Sequence, residues 1–114
     1  MLTRPITVAE TTVFLRQVAD IWTEGEHFGF VDFIALNPEA GDLIPQTGGV
    51  RKIRWGRQGS GKRGGVRIIY FYHDAGMPLY LLMIYTKARR DDLSPEARRT
   101  VQGLVAQLKQ AHER

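Results

Sequence analysis

The chain has 114 residues, of which 43% are hydrophobic, enough to bury one core and short for two domains. It contains no cysteine, which excludes disulfide frameworks, thiolate metal sites and thiol nucleophiles and suits a reducing cytoplasm. The net charge of +4 conceals a division: residues 1–50 carry two cations, Arg4 and Arg16, against seven acids, whereas residues 51–114 carry fourteen cations against five acids. A basic second half points to a polyanionic partner on one surface. The N-terminus lacks the basic start and apolar core of a signal peptide, and no window is long and apolar enough to span a membrane.

Ile6, Thr7 and Val8 read as a short edge strand. Thr11 or Thr12 can cap a first helix over Thr12–Ile21, with Phe14, Val18 and Ile21 or Trp22 on one face. Thr23 and Glu26 have capping-box spacing. A second helix then runs to about Leu36 with a buried stripe of Phe30, Phe33 and Ile34, weakened by Gly25 and Gly29 and ended by Asn37-Pro38. The two helices form a hairpin. Residues 37–49, rich in Pro, Gly, Asp and Asn, connect them to a sheet.

From Val50 to Trp55 the period of two sets Ile53 and Trp55 on one face, and Lys52 and Arg54 on the other. Residues 56–65 form a basic Gly-rich turn, Val66–Tyr72 a returning strand, and Asp74-Ala75-Gly76 the next reversal. Leu79–Thr86 is apolar at nearly every position, as expected of a strand covered on both faces. Ser94-Pro95-Glu96 starts a final helix in which Ala97, Val101, Leu104, Val105 and Leu108 share a face that packs on the sheet or, failing that, forms a docking stripe for a partner. The expected fold is α+β: two N-terminal helices, an antiparallel sheet of three to four strands and a C-terminal helix, in a single domain.

The stretch 50–72 concentrates the chemistry. Arg51, Lys52, Arg54, Arg57, Lys62, Arg63 and Arg67 lie in it without one acid. Such a field on a β scaffold suits a phosphate backbone. Gly56 to Lys62 matches the first seven positions of a nucleotide-binding P-loop, but Arg63 replaces the Ser or Thr that would hold magnesium, and a strand follows where a helix is needed. The turn reads better as a hairpin tip whose Arg57, Lys62 and Arg63 touch phosphates. His27, His73 and His112 have no metal-ligand spacing, and no Ser sits in a nucleophile elbow.

The chemistry left is RNA cleavage by the substrate's own 2′-hydroxyl, with Lys52, Arg54 and Arg67 as the tools, or binding by the same cations without cleavage. Arginine stabilises phosphorane charge bidentately, and a lysine crowded by arginines is suited to moving a proton. Tyr70, Tyr72, Tyr80 and Tyr85 are core residues or base-stacking platforms.

These segments together resemble a known family. The run from Asn37-Pro38 through GDLIPQTGGVRKIRW, the strand GKRGGVRIIYFY, the strand LYLLMIYTK and the helix start DLSPEARR are similar to toxins of the RelE/ParE superfamily, most of all to the HigB-type branch of toxin-antitoxin modules. The resemblance spans about residues 8–110. It implies a fold like that of microbial ribonucleases and a toxin that enters the ribosomal A site and cleaves mRNA without a metal, leaving a 2′,3′-cyclic phosphate. It also implies a cognate antitoxin, with a helix-turn-helix DNA-binding domain in this branch.

Lys52 and Arg54 match the family's two strand lysines by position, and Arg67 its strand arginine. The pattern's basic residue after the last strand is replaced: Lys87 is followed by Ala88, with Arg89 and Arg90 displaced, so Lys87, Arg89 or Arg90 stands in. The family's C-terminal catalytic tyrosine has no counterpart, since Asp91, Asp92, Leu93 and Ser94 run into a helix. Tyr85 or Lys52 would then handle the proton. The alternatives within the fold are a ParE-like gyrase inhibitor and an RNA-binding member without catalysis.

Overall fold

The computed structural model describes residues 4–56, 65–86 and 93–112. In chain order the elements are β1 (Val8–Glu10), α1 (Thr12–Val18), α2 (Glu24–Leu36), β2 (Asp42–Leu43), β3 (Val50–Trp55), β4 (Val66–Phe71), β5 (Leu79–Thr86) and α3 (Pro95–His112). The strands make one sheet in the order β1-β5-β4-β3-β2, antiparallel throughout except where β1 runs parallel to β5. The chain is thus α+β as expected, but its sheet has five strands and is mixed. The edge strand expected over Ile6–Val8 is present as β1, two residues further on, while β2, of two residues, shows too little period to be read locally; the parallel pairing of β1 joins residues some seventy apart.

The helix signals act as the side chains require. Thr11 Oγ1 accepts from the Phe14 N–H at 3.2 Å and donates to the Leu81 carbonyl at 2.9 Å, so one hydroxyl starts α1 and ties it to β5. α1 stops at Val18, three residues earlier than its apolar spacing suggests, because the Asp20 and Ile21 N–H groups bond carbonyls three residues back. Trp22 reaches the core nonetheless. Thr23 and Glu26 form the expected capping box at α2, and Asn37 ends the helix with Nδ2 on the Phe33 carbonyl at 2.8 Å.

The helices cover opposite sheet faces. Phe14, Val18, Trp22, Phe30 and Ile34 from the α1–α2 side pack on Val66, Ile68, Tyr70, Leu81 and Ile84. On the other face α3 lays Val101 and Val105 against Val50, Ile69, Phe71 and Leu82. Burying each of these valines stabilises the packing by about 1.5 kcal/mol. Ser94 Oγ caps α3 through the Ala97 N–H at 3.1 Å. β5 carries one extra residue, since Ile69 pairs with Met83 and Tyr70 with Leu81. The bulge at Leu82 puts both Leu82 and Met83 on the α3 side.

The connection 37–41 is held by Tyr70 from below. Its buried hydroxyl accepts from the Gly41 N–H at 2.8 Å and donates to the Pro38 carbonyl at 2.9 Å. Burial pushes this phenol's pKa up, against the lowering effects of the Gly41 hydrogen bond and the nearby Arg51 cation. No helix among the described residues is long and apolar enough to cross a membrane.

Candidate functional site

The site is built from the pleat of β3 and β4. Pairing sets Arg54 opposite Arg67, and Arg67 opposite Tyr85 on β5, so these residues form one row across three strands on the face that α3 covers in part. Lys52 lies two residues from Arg54 on the same face, in the row that continues through Ile69 and Met83. The period of two therefore does what the sequence suggests: Ile53 and Trp55 pack toward α1 and α2, Lys52 and Arg54 away from them.

The hydrogen-bond alternation sharpens this row. The Ile84 N–H leaves the sheet to donate to Gln17 Oε1 at 3.0 Å, and the Val50 carbonyl accepts from the Ile44 N–H on the far side of β3 at 2.9 Å. Both observations make Tyr85 and Arg67 a hydrogen-bonded pair, and Arg67 and Arg54 a pair without backbone bonds. In an antiparallel sheet the latter kind brings Cα atoms to about 4.5 Å, with the side chains closer than in the alternate pairs.

Two like charges are therefore held side by side, an arrangement that destabilises a sheet unless something answers it. Arg54 is exposed; Arg67 is only 7% exposed, and its Nη1 has no hydrogen-bond partner among the described residues. A guanidinium cannot shed its charge, so a buried N–H donor without an acceptor costs the fold stability.

Other residues fall elsewhere. Arg51, expected among the phosphate contacts, faces the opposite side of the sheet because it is one pleat out of step with Lys52 and Arg54. Its Nη1 donates to the Gly41 and Glu39 carbonyls at 2.7 and 3.2 Å, with the Glu39 carboxylate 4.0 Å from Nη2. It clamps the 37–41 connection rather than joining the cationic row. Tyr70 is the core latch described above. Tyr85 shares the Arg67 row, but its hydroxyl is buried. Arg57, Lys62, Arg63, Lys87, Arg89 and Arg90, together with the P-loop-like segment after Gly56, lie outside the described residues.

The fold also brings in groups that the local reading missed. Asp42 on β2 pairs in register with Lys52, setting a carboxylate beside the lysine at the edge of the cationic face. A two-residue strand inside a Pro- and Gly-rich connection gives no local sign of this. A groove of about 800 Å³ lies between α1 and the last turn of β5, lined by Arg16, Gln17, Asp20, Ile84, Tyr85 and Thr86 among others. Its α1 residues sit in the acidic first half of the chain, away from the charged stretch. Among the described residues no three His, Asp or Glu side chains are grouped to hold a metal ion; His27 pairs with Glu10, and His73 with Asp74.

No protein-family model matches the chain.

Proposed function

We propose that this chain is a RelE-like toxin of a toxin-antitoxin module, a cytoplasmic, ribosome-dependent endonuclease of mRNA. The observation that carries the reading is the buried, incompletely partnered Arg67 guanidinium set directly beside Arg54, with Lys52 on the same face. A phosphodiester answers that arrangement, because it neutralises two adjacent charges at once. The sequence resemblance adds the ribosome and the antitoxin to this picture.

In the proposed reaction the 2′-hydroxyl of the RNA loses its proton and attacks the adjacent phosphorus. The new O2′–P bond forms as the P–O5′ bond breaks, a proton passes to the departing 5′ oxygen, and the upstream fragment ends in a 2′,3′-cyclic phosphate. Arg54 and Arg67 hold the phosphate and stabilise the extra negative charge of the phosphorane. The burial of the Tyr85 hydroxyl favours Lys52 as the group that assists proton transfer. The bond changes are carried by the protein's side chains and the RNA held on the ribosome; the cognate antitoxin is the partner that holds the toxin in check.

The test is primer extension on an mRNA translated in vitro with the purified protein. Discrete breaks inside translated codons, lost with Arg67→Ala, are expected. Intact mRNA accompanied by DNA damage in cells would replace the reading with gyrase inhibition, and RNA binding without breaks would replace it with a non-catalytic role.

A further inference from the structure

We infer that Asp42 is the general base of the cleavage, taking the proton of the RNA 2′-hydroxyl while Lys52 supplies the proton that the departing 5′ oxygen needs; the inference rests on the nuclease reading above. Cleavage by this route removes one proton and delivers another, so an acceptor and a donor have to stand at the same phosphate. Lys52 is a donor, but the stretch 50–72 that holds the cations contains no acid. The acceptor has to come from another segment of the chain. On the described strands acids occur only at the two edges of the sheet, as Glu10 on β1 and Asp42 on β2. Glu10 is engaged by His27 at the edge far from Arg54. Asp42 is the carboxylate that the sheet brings beside the cationic row.

Register is the second argument. β2 pairs antiparallel with β3 and sets Asp42 opposite Lys52. Facing side chains leave a sheet on one side, so the carboxylate shares the face of Lys52, Arg54 and Arg67. Facing Cβ atoms lie about 5 Å apart and diagonal ones about 7–8 Å, which puts Asp42 next to Lys52 and diagonal to Arg54. An arginine side chain spans that diagonal, so a phosphate held at the end of Arg54 lies within reach of Asp42. Asp42 is exposed on the outermost strand, and its carboxylate makes no ion pair or hydrogen bond with a described residue. It is open to substrate and stands apart from the Lys52 ammonium. An in-line displacement requires that separation, because the attacking and leaving oxygens lie on opposite sides of the phosphorus.

The step balances with these two groups. The Asp42 carboxylate takes the proton of the 2′-hydroxyl as the O2′–P bond forms, and the Lys52 ammonium gives a proton to the 5′ oxygen as the P–O5′ bond breaks. A neutral carboxyl and a neutral amine are left on facing positions of β2 and β3. Passage of one proton from the first to the second restores both, so the pair resets for the next phosphate. Carboxylates are ionised and alkylammonium groups protonated near neutral pH, the forms with which the step begins. An acid beside a phosphate site otherwise only repels the RNA. Loss of the Asp42 charge would then strengthen binding and leave cutting as fast or faster, the opposite of what a base predicts.

The experiment measures single-turnover cutting of mRNA on stalled ribosome complexes, with the protein in excess, from about pH 6 to about pH 8.5. The proteins are wild type, Asp42→Asn, Asp42→Glu and, as a control that removes the same charge from exposed Asp32 on α2, Asp32→Asn. Asp42→Asn should cut about 100-fold more slowly or worse while binding the complexes at least as tightly, and Asp42→Glu should keep about a tenth of the rate or more. In Asp42→Asn hydroxide has to take the 2′ proton, so its residual rate should rise about tenfold per pH unit, more steeply than that of wild type. Asp32→Asn should match wild type throughout. The pH slope is read within one variant, so a partial loss of folded protein does not alter it. Cutting by Asp42→Asn at the wild-type rate or faster, or a slower rate with an unchanged pH slope, overturns the assignment of the base and leaves the nuclease reading standing. Absence of any cut by wild type removes the nuclease reading and this inference with it.

Discussion

Arg54 on β3 and Arg67 on β4 stand directly opposite each other in the sheet, one exposed and the other buried. A fold selected only for stability would not keep this pair, because like charges across a sheet repel and a buried guanidinium gives up hydration. Arg67 also retains a buried N–H without a described partner. Stability and activity should therefore respond in opposite directions at this position.

Arg67→Met keeps an unbranched chain of similar length in the β4 interior while removing the charge. Urea denaturation should show a variant as stable as the parent or more so, by about 1 kcal/mol. The same variant should inhibit in vitro translation at least about 100-fold less well, in line with the loss of one preorganised group that stabilises charge. A stability loss accompanied by full inhibition would show that Arg67 serves the core instead.

Tyr70→Phe deletes a hydroxyl that meets both the Gly41 N–H and the Pro38 carbonyl. Each is left in a buried setting, and the expected loss is about 1–3 kcal/mol from the unmade hydrogen bonds. Chemical denaturation at neutral pH measures it. A loss near zero would mean that the 37–41 connection is held by the Arg51 clamp alone.

The same phenol gives an alkaline signature. Its folded pKa is raised above the unfolded value of 10.0, chiefly by burial. Between those two values the unfolded chain releases a proton that the folded chain retains, so unfolding gains and stability falls as pH rises. The contribution is intact below pH 10 and disappears through the folded pKa. Melting temperatures measured from pH 9 upward should decline more steeply for the parent than for Tyr70→Phe.

Gly41→Ala tests the closeness of the same contact. A Cβ there would stand 2.8 Å from the Tyr70 hydroxyl and 3.0 Å from the Lys52 backbone carbonyl, neither the free end of a flexible chain. The overpacking should destabilise the domain by about 1–3 kcal/mol. Because Lys52 is the neighbour displaced, mRNA cutting should fall further than stability alone explains. Thermal melts and primer extension on the same preparation compare the two.

Thr11→Ala should be more damaging than Thr23→Ala, although both remove an N-cap. Loss of the Thr23 cap costs about 1 kcal/mol. Thr11 in addition donates to the Leu81 carbonyl, joining α1 to β5 across 70 residues of sequence. Its loss should exceed that of Thr23 by about 1 kcal/mol, read from paired denaturation curves. Equal losses would place the α1–β5 junction on packing alone.

Much of this was legible in the residue order, and the parts that were not have a common cause. The capping box at Thr23, the Ser94-Pro95 start, the two faces of β3 and the buried character of β5 are local patterns. They follow from hydrogen-bonding groups a few residues apart or from a period of two. The faces of Lys52 and Arg54 were set by the same rule, while Arg51, one residue away, was grouped with them although the pleat turns it to the other side. β1 was placed two residues early and its parallel partner was not foreseen, and β2 escaped, because strands of two or three residues exist through their partners rather than through their own sequence.

The sequence by itself thus determined the elements, their apolar faces and the presence of an acid-free cationic stretch, since each depends on side chains close together along the chain. Only the tertiary structure decided that Arg54 meets Arg67, that Asp42 lies opposite Lys52, and that Arg16, Gln17 and Asp20 come up against the end of β5. Those are matters of strand register and packing between segments distant in sequence. Register is fixed by the whole buried surface on both sides of the sheet, which no short window of residues contains.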